Sequence, residues 1–300
     1  MGVTERVRLM RIILGVCLLL CLLPVPCFAL ERGMDNKPQV YFGVIPRYNP
    51  MVMYRNYQPI MDYLSEQTPY HFELKLARDY EEAVQLLKSG TVQLASLGDV
   101  TFFEANQGFG ALPIVRPLNK LGRAEYRSII ITRKDSGVNS LTDLKGRSFA
   151  FGNLHSTSGN LIPRLFLYRH GVTLFDFGRF ENLETHTAVA KAVLKGKVAA
   201  GAVKDVVAYR YQPHGLKLIA ESEPIPSVPI VARPDAEPAL IAAVRKVLLA
   251  IDPGDPKMIK RMHDWDPEFR NGFVAASAED YAPIFKMMED VPGGCGRRCH

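Results

Sequence analysis

A run of thirteen residues, Phe151 to Pro163, holds the side chains best suited to chemistry in this sequence. It reads FGNLHSTSGNLIP, and its centre places three hydroxyl residues before a glycine: Ser156, Thr157, Ser158 and Gly159. Proline is best tolerated in a first helical turn, so we expect a helix to begin near residues 158–160. Helix starts carry unpaired N–H groups and partial positive charge, which attract anions. The run therefore predicts an oxyanion site, and a serine-rich helix cap without a ligand is the alternative.

The elements around this run alternate between strands and helices. Strands are predicted for residues 40–45, 72–76, 92–97, 126–132, 147–151, 199–203 and 216–220. Helices are predicted for residues 57–64, 79–88, the segment after Gly98, 187–194, the segment from Asp205, and 239–251. Such alternation indicates an α/β fold with largely parallel strands.

Two extended passages, near residues 126–133 and 219–233, divide this pattern into two βα modules. We therefore expect a two-lobed fold with a cleft between the lobes. Lobe 1 is predicted to comprise residues 30–126 and 228–290, and lobe 2 residues 127–227. Ligands of such sheets bind outside the carboxyl ends of the strands, where the lobes face each other.

Three further side chains fall near predicted helix starts and could complete the site: His186, Asp205 and Tyr57. His186 could donate to an anion, and the anion would favour its protonated form; a capping or surface role is the alternative. Asp205 could accept a hydrogen bond from a P–OH or ammonium group, or could simply be an N-cap. The hydroxyl of Tyr57 could contact the ligand, or the ring could serve packing alone.

Catalysis is a weaker interpretation of the same residues. Ser156 or Ser158 with His186 and Asp205 contains the members of a hydrolase triad. However, no G-x-S-x-G elbow frames either serine, and the sequence lacks H-E-x-x-H, P-loop and paired-cysteine zinc motifs. We therefore expect a binding protein rather than an enzyme, with no metal and no cofactor.

The first 29 residues have the layout of a secretory signal peptide. Three arginines precede an apolar run, Ile12 to Leu23, which is short for a membrane span, and Ala29 marks the expected cleavage site. Because this segment carries three arginines and one glutamate, its removal lowers the formal net charge from +6 to +4. A mild charge without basic clusters argues against nucleic-acid binding.

Only two of the five cysteines, Cys295 and Cys299, lie beyond the predicted signal peptide. They occur in the tail 291–300, where a local disulfide or a frayed terminus is expected. A metal or haem attachment site with His300 is the alternative, but haem attachment normally requires two residues between the cysteines and here there are three.

Four motifs, in order, resemble the periplasmic substrate-binding proteins of phosphate, phosphite and phosphonate ABC transporters (PhnD-like). They are FGNLHSTSGNLIP, the preceding DSGVNSLTDLKGR, the later HTAVAKAVLKGKVAAGAV, and the S-x-P-I-P-x-x-P signature at Ser222 to Pro229. The resemblance extends from about Val40 to Phe285. It implies a type II periplasmic binding fold, with the oxyanion held by Ser156, Thr157, Ser158, Gly159 and His186, and with Asp205 and Tyr57 in the cleft.

One departure from the family pattern concerns the turn that often reads A-x-x-G-P with a nearby tyrosine. Here Ala95 to Asp99 reads ASLGD, so Asp99 adds a possible carboxylate to the site, unless it only caps its helix. A second departure lies in the motif HTAVAKAVLKGKVAAGAV, where the family has an aspartate before A-G-A and this chain has Ala199-Ala200-Gly201.

The resemblance implies a periplasmic, monomeric receptor that captures a phosphorus oxyanion and delivers it to an ABC permease. The alternative is an oxyanion-sensing or redox-accessory module built on the same fold, which the tail cysteines favour slightly.

Overall fold

The computed structural model describes residues 37–290. The predicted signal peptide, residues 1–29, and the cysteine-containing tail, residues 291–300, lie outside the described residues. In the described part of the chain, thirteen strands form three sheets.

A six-stranded sheet forms the core of the first lobe, in the order β13-β4-β12-β3-β1-β2. Its strands are β1 (Gln39–Val44), β2 (His71–Leu76), β3 (Leu94–Ser96), β4 (Leu112–Pro117), β12 (Ile230–Ala232) and β13 (Phe273–Ala275). β1 runs parallel to β2 and β3, whereas β12 lies antiparallel between β3 and β4.

A five-stranded sheet forms the core of the second lobe, in the order β10-β6-β9-β7-β8. Its strands are β6 (Ser128–Arg133), β7 (Ser148–Phe151), β8 (Arg179–Asn182), β9 (Ala200–Lys204) and β10 (Leu216–Glu221). The central strand β9 is buried along its whole length, as its small apolar residues predict.

The two passages between the lobes pair with each other. β5 (Glu125–Tyr126) leads from the first lobe into β6, and β11 (Ile225–Pro226) leads back from β10 towards β12. They form a two-stranded antiparallel sheet in which Tyr126 faces Ile225. The lobes are thus joined by two adjacent extended strands.

The helices cover the faces of the sheets and lie mostly between successive strands. They are α1 (Pro50–Gln67), α2 (Tyr80–Lys88), α3 (Asp99–Phe109), α4 (Ile162–Arg169), α5 (His186–Leu194), α6 (Asp205–Tyr211), α7 (Pro238–Leu249), α8 (Pro256–Arg261) and α9 (Ala282–Asp290). Their ends follow local sequence rules. At α2, for example, Asp79 Oδ1 accepts the Glu82 N–H at 2.7 Å, and Gly90 follows with a positive φ of 78°. No helix within residues 37–290 is long and apolar enough to cross a membrane.

Two features of the fold differ from the sequence prediction. The helix predicted from residue 57 begins at Pro50, where Asn49 accepts the Val52 N–H at 3.1 Å. Pro59 therefore lies inside α1, where its missing N–H is offset by a buried apolar face that includes Ile60 and Leu64. The strands are also not largely parallel. β6 and β12 enter their sheets directly from the interlobe passages, without a helical crossover, and so run antiparallel to their neighbours.

Candidate functional site

The hydroxyl run lies directly after β7 and forms the start of a helix. Ser156 is the N-cap, and its Oγ accepts the Gly159 N–H at 3.1 Å. A wide π-helical turn, Thr157–Leu161, then leads into α4, so the helical structure begins slightly earlier than predicted. The N–H groups of Thr157 and Ser158 come first in this turn and have no partner inside the helix. We call residues Ser156 to Gly159 the seat.

Close backbone packing fixes the position of the seat. The Gly152 N–H donates to Gly159 O at 2.6 Å, which ties the end of β7 to the turn. A Cβ at Gly159 would lie 2.8 Å from Ser156 Oγ, 3.1 Å from Gly152 Cα and 3.1 Å from His186 Cε1. A side chain at position 159 would therefore require Ser156, Gly152 or His186 to move, which favours glycine there.

His186 is the first residue of α5, and its ring lies against the seat. Its Nδ1 accepts the Lys204 N–H at 3.3 Å, which leaves the proton of a neutral ring on Nε2. Burial lowers the pKa of His186 to about 3, and the nearby Lys204 and Arg47 charges act in the same direction. In this structure the ring is therefore neutral, with the proton on Nε2. A bound anion would act in the opposite direction and raise this pKa, the direction expected from the sequence.

The start of α3 approaches the seat from the first lobe. Gly98 is the N-cap and Asp99 the first helical residue, so Asp99 is not the cap. The next N–H, that of Val100, donates to Thr157 Oγ1 at 3.0 Å. Two helix starts from different lobes thus meet at Thr157. Each contributes partial positive charge to the space between them.

Asp99 itself is fully buried. Its Oδ2 accepts the Tyr126 hydroxyl at 3.4 Å, while its Oδ1 has no hydrogen-bond partner among the described residues. Burial raises the pKa of Asp99 to about 7, although the positive charge of Lys204 opposes the shift.

A buried group of charges borders the seat and was not predicted as part of the site. Arg47 donates to the Tyr57 hydroxyl and, at 3.1 Å, to Ser96 Oγ. Its Nε lies 3.6 Å from Glu268 Oε2, and the other carboxylate oxygen of Glu268 pairs with Lys204. Burial acts to raise the pKa of Glu268, but Lys204 and Arg47 together hold it below its usual value.

Lys204 connects these charges to Asp99. Its Nζ lies 3.8 Å from the centre of the Tyr126 ring, and the hydroxyl of the same ring contacts Asp99. Lys204, at the end of β9, also carries the N–H that His186 accepts. The seat, Asp99 and the buried ion pairs therefore form one connected site.

Asp205 follows Lys204 as the first residue of α6 and is not its N-cap, which is Lys204. Its carboxylate accepts the Val206 N–H at 2.7 Å and the Arg127 N–H at 3.2 Å. Burial raises the pKa of Asp205 to about 6 despite Lys204. The residue lines a cavity of about 650 Å³ that Tyr126 and Glu268 also line.

The structure brings the seat, His186 and Asp99 together, with Asp205 next to Lys204. Tyr57 is linked to this group only through Arg47. Lys204, Glu268 and Tyr126 border the same region and were not among the predicted site residues. Lys204 could have been found, because it stands where a predicted strand gives way to a helix. Glu268 carries no such signal, since it lies in a short turn after Trp265. Within residues 37–290, no three His, Cys, Asp or Glu side chains are grouped so as to hold a metal ion.

Comparison with known proteins identifies the family. A profile of the family described as ABC transporter, phosphonate, periplasmic substrate-binding protein matches residues 42–281. The chain is 26% identical over 279 residues to the phosphonates-binding periplasmic protein of Escherichia coli, covering 87% of this chain and 81% of that protein.

Two solved structures share the fold. One is a binding protein component of a phosphonate ABC transporter from Pseudomonas aeruginosa, with a TM-score of 0.75, 24% identity, and coverage of 84% of this chain and 86% of that one. The other is PhnD1 from Prochlorococcus marinus in complex with methylphosphonate, with a TM-score of 0.74, 23% identity, and coverage of 84% and 97%. The two-lobed fold and the family resemblance predicted from the sequence are confirmed.

Members of this family are transport proteins of the periplasm and not enzymes. Since the profile match spans most of the sequence, this chain belongs to the periplasmic substrate-binding proteins of phosphonate ABC transporters.

Proposed function

We propose that this chain captures a phosphorus oxyanion, namely a phosphonate, phosphite or phosphate, in the cleft between its lobes and delivers it to the permease of an ABC transporter. The ligand-binding residues are Ser156, Thr157, Ser158, Gly159, His186, Asp205, Tyr57 and Asp99. The observation that carries the proposal is the meeting of two helix starts at Thr157, beside the seat.

The seat supplies donors of the kind that tetrahedral oxyanions require. The N–H groups of Thr157 and Ser158 begin a helix, the Ser158 hydroxyl adjoins them, and the neutral His186 ring adds its Nε2–H. Fixed donors in a buried region bind an anion without reorganisation of solvent.

The buried charges also favour an anion. Arg47 and Lys204 share the single carboxylate of Glu268, and burial raises the pKa of Asp99 to about 7 and that of Asp205 to about 6. Arg47 and Lys204 thus carry two positive charges against the one negative charge of the Glu268 carboxylate that they share. A bound anion would neutralise this excess, which is costly to bury unpaired.

Contacts between the lobes support capture by closure. Thr157 accepts the Val100 N–H, Lys204 pairs with Glu268, and His155 Nδ1 lies 2.7 Å from Glu104 Oε1. In each pair one residue belongs to the first lobe and the other to the second. An anion at the seat would add contacts to both sides and so favour the closed form, the shape that a permease would recognise.

The remaining parts of the proposal rest on the sequence. Residues 1–29 act as a cleaved signal peptide, lobe 1 comprises residues 30–126 and 228–290, and lobe 2 comprises residues 127–227. The mature protein acts as a monomer and has no nucleic-acid partner.

Titration calorimetry of ligand-free residues 30–300 tests the proposal. Phosphate, phosphite, methylphosphonate, aminoethylphosphonate and sulfate would be titrated into the wild type, Ser158→Ala and the control Ser89→Ala. Ser89 is exposed, at the C-terminal end of α2. We expect one-to-one binding of at least one phosphorus compound, weakened about tenfold by Ser158→Ala and unchanged by Ser89→Ala. Absence of binding to every phosphorus compound would refute the proposed ligand class.

A further inference from the structure

Asp99, at the helix start beside the seat, has one buried carboxylate oxygen without a hydrogen-bond partner among the described residues. Its side chain is fully buried, Oδ2 accepts from Tyr126, and Oδ1 makes no hydrogen bond to any described residue. Buried polar atoms without partners are rare, and each calls for a reason. The neighbouring Val100 N–H donates to Thr157 Oγ1, so Asp99 lies one residue from the contact between α3 and the seat.

The charged and titratable groups around Asp99 come from several elements and influence the protonation of its carboxyl group. They are Lys204 of β9, Tyr126 of β5, Arg47 after β1, Glu268 of the turn after Trp265, and Tyr281 before α9. Both cations pair with Glu268, and none of these groups donates a hydrogen bond to Oδ1. A ligand that carries a proton can supply the missing hydrogen bond.

The protonation of the ligand then determines whether it fits. A P–OH group can donate to a carboxylate oxygen, whereas a fully deprotonated oxygen facing an ionised carboxylate brings two negative atoms together without a proton. Near neutral pH, a phosphorus oxyanion that retains one proton can donate this hydrogen bond. Sulfate carries no proton at that pH and cannot donate it.

We propose that Asp99 is the residue that determines specificity among tetrahedral anions: its Oδ1 accepts a hydrogen bond from a P–OH group, so singly protonated phosphorus oxyanions bind and sulfate is excluded. This inference rests on the proposed function and adds a selection rule to it. The rule does not depend on Asp205, which lines the neighbouring cavity and whose carboxylate accepts two backbone N–H groups.

The raised pKa of Asp99, about 7, makes the exclusion of sulfate dependent on pH. Below pH 7 the carboxyl group gains a proton and can donate to sulfate, whereas above pH 7 it is ionised and repels sulfate. Sulfate affinity of the wild type should therefore rise about tenfold between about pH 8 and about pH 6. The nearby Asp205, with a pKa of about 6, contributes only near the lower end of this range.

The test compares methylphosphonate and sulfate binding by calorimetry in mature wild type, Asp99→Asn and the control Asp62→Asn. Asp62 is an exposed residue of α1. An asparagine amide can donate to sulfate at any pH, so Asp99→Asn should bind sulfate about 10- to 100-fold more tightly than the wild type does at about pH 8. Methylphosphonate binding should change less than sulfate binding, and Asp62→Asn should leave both unchanged.

The outcomes separate this inference from the proposed function. If the wild type binds methylphosphonate, and Asp99→Asn prefers methylphosphonate over sulfate as strongly as the wild type does, the inference is overturned and the proposed function stands. Failure of the wild type to bind any phosphorus oxyanion overturns both. If Asp99→Asn folds poorly, the pH dependence of the wild type decides. A sulfate affinity of the wild type that stays constant between about pH 8 and about pH 6 also overturns the inference.

Discussion

Lys204 and Glu268 form a buried ion pair across the cleft, between the end of β9 in the second lobe and a turn packed beside α1 in the first. The turn is anchored to α1 because the Asp266 N–H donates to Asn56 O at 2.9 Å. Glu268 also pairs with Arg47, at 3.6 Å, so one carboxylate compensates a cation from each lobe. Ligand capture and the stability of the ligand-free protein should therefore depend on the same side chain.

Removal of the Glu268 charge should destabilise the ligand-free protein. Glu268→Gln leaves Arg47 and Lys204 buried without their shared partner, so we expect the free energy of unfolding to fall by about 3–5 kcal/mol. Urea unfolding measures this loss. Glu66→Gln is the matched control, because the Glu66–Arg261 pair is largely exposed and worth at most about 1 kcal/mol. Equal losses in the two variants would contradict the role given to Glu268.

Stability of the ligand-free protein should decrease as pH rises from about 4 to about 7. The pKa of Asp99 is raised from 3.8 to about 7, so the folded protein holds this proton more tightly than the unfolded chain. The stability that protonation contributes is fully present below about pH 4 and is lost as pH rises to about 7, on the order of 4 kcal/mol.

Unfolding curves at a series of pH values, in wild type and Asp99→Asn, measure this effect. The free energy of unfolding of Asp99→Asn should vary less with pH. The smaller decrease that remains comes from Asp205, whose pKa is raised to about 6. Asp62→Asn should retain the wild-type profile. A wild-type profile that rises across this range would show that other groups outweigh Asp99.

Local sequence rules predicted the seat well. A strand, a polar turn with two glycines and an early Pro163 are local features, and the helical turn begins at Thr157, one residue before the predicted start, with Ser156 as its cap. Asp79 and Gly90 likewise define the ends of α2. Where a backbone hydrogen bond joins neighbouring residues, the sequence contains most of the information that determines it.

Long-range pairings could not be predicted in the same way. Glu268 meets Lys204 only because β12 returns to the first lobe and brings the C-terminal segment beside α1. Nothing in the residues around Glu268 distinguishes it from a surface carboxylate. The antiparallel placement of β12 was missed for the same reason, since it depends on the crossing between lobes and not on the strand itself.

Substitution of Gly159 should weaken ligand binding and the fold together. In Gly159→Ala the new Cβ would lie 2.8 Å from Ser156 Oγ and 3.1 Å from Gly152 Cα, so the seat must shift. We expect a loss of about 1–3 kcal/mol in the free energy of unfolding and at least tenfold weaker binding of methylphosphonate.

The control for this substitution is Gly108→Ala. Gly108 lies in α3, and a Cβ there meets nothing within 4 Å. Because alanine is the better helix former, this variant should be about 0.5–1 kcal/mol more stable than the wild type and should bind normally. Equal binding by the two variants would show that the seat tolerates a side chain at position 159.

The pair of Glu104 and His155 should slow ligand release. Glu104 belongs to α3 of the first lobe, His155 precedes the seat in the second, and their side chains are 2.7 Å apart. Glu104→Gln removes the ion pair that the closed form gains, so methylphosphonate should dissociate about 2- to 10-fold faster. Stopped-flow displacement measures this rate.

The effect should also depend on pH in a defined direction. The hydrogen bond to Glu104 raises the pKa of His155 above its usual 6.5, so the ion pair forms at lower pH and weakens as pH rises through that raised value. Wild type and Glu104→Gln should therefore differ most at about pH 6 and converge at higher pH. Asp264→Asn, which alters an exposed pair with His263, should release ligand as the wild type does. If the difference in dissociation rate between wild type and Glu104→Gln grew with pH, the charged form of His155 could not be its cause. Deprotonation of His155 removes its attraction to Glu104, so an effect of this ion pair must shrink as pH rises.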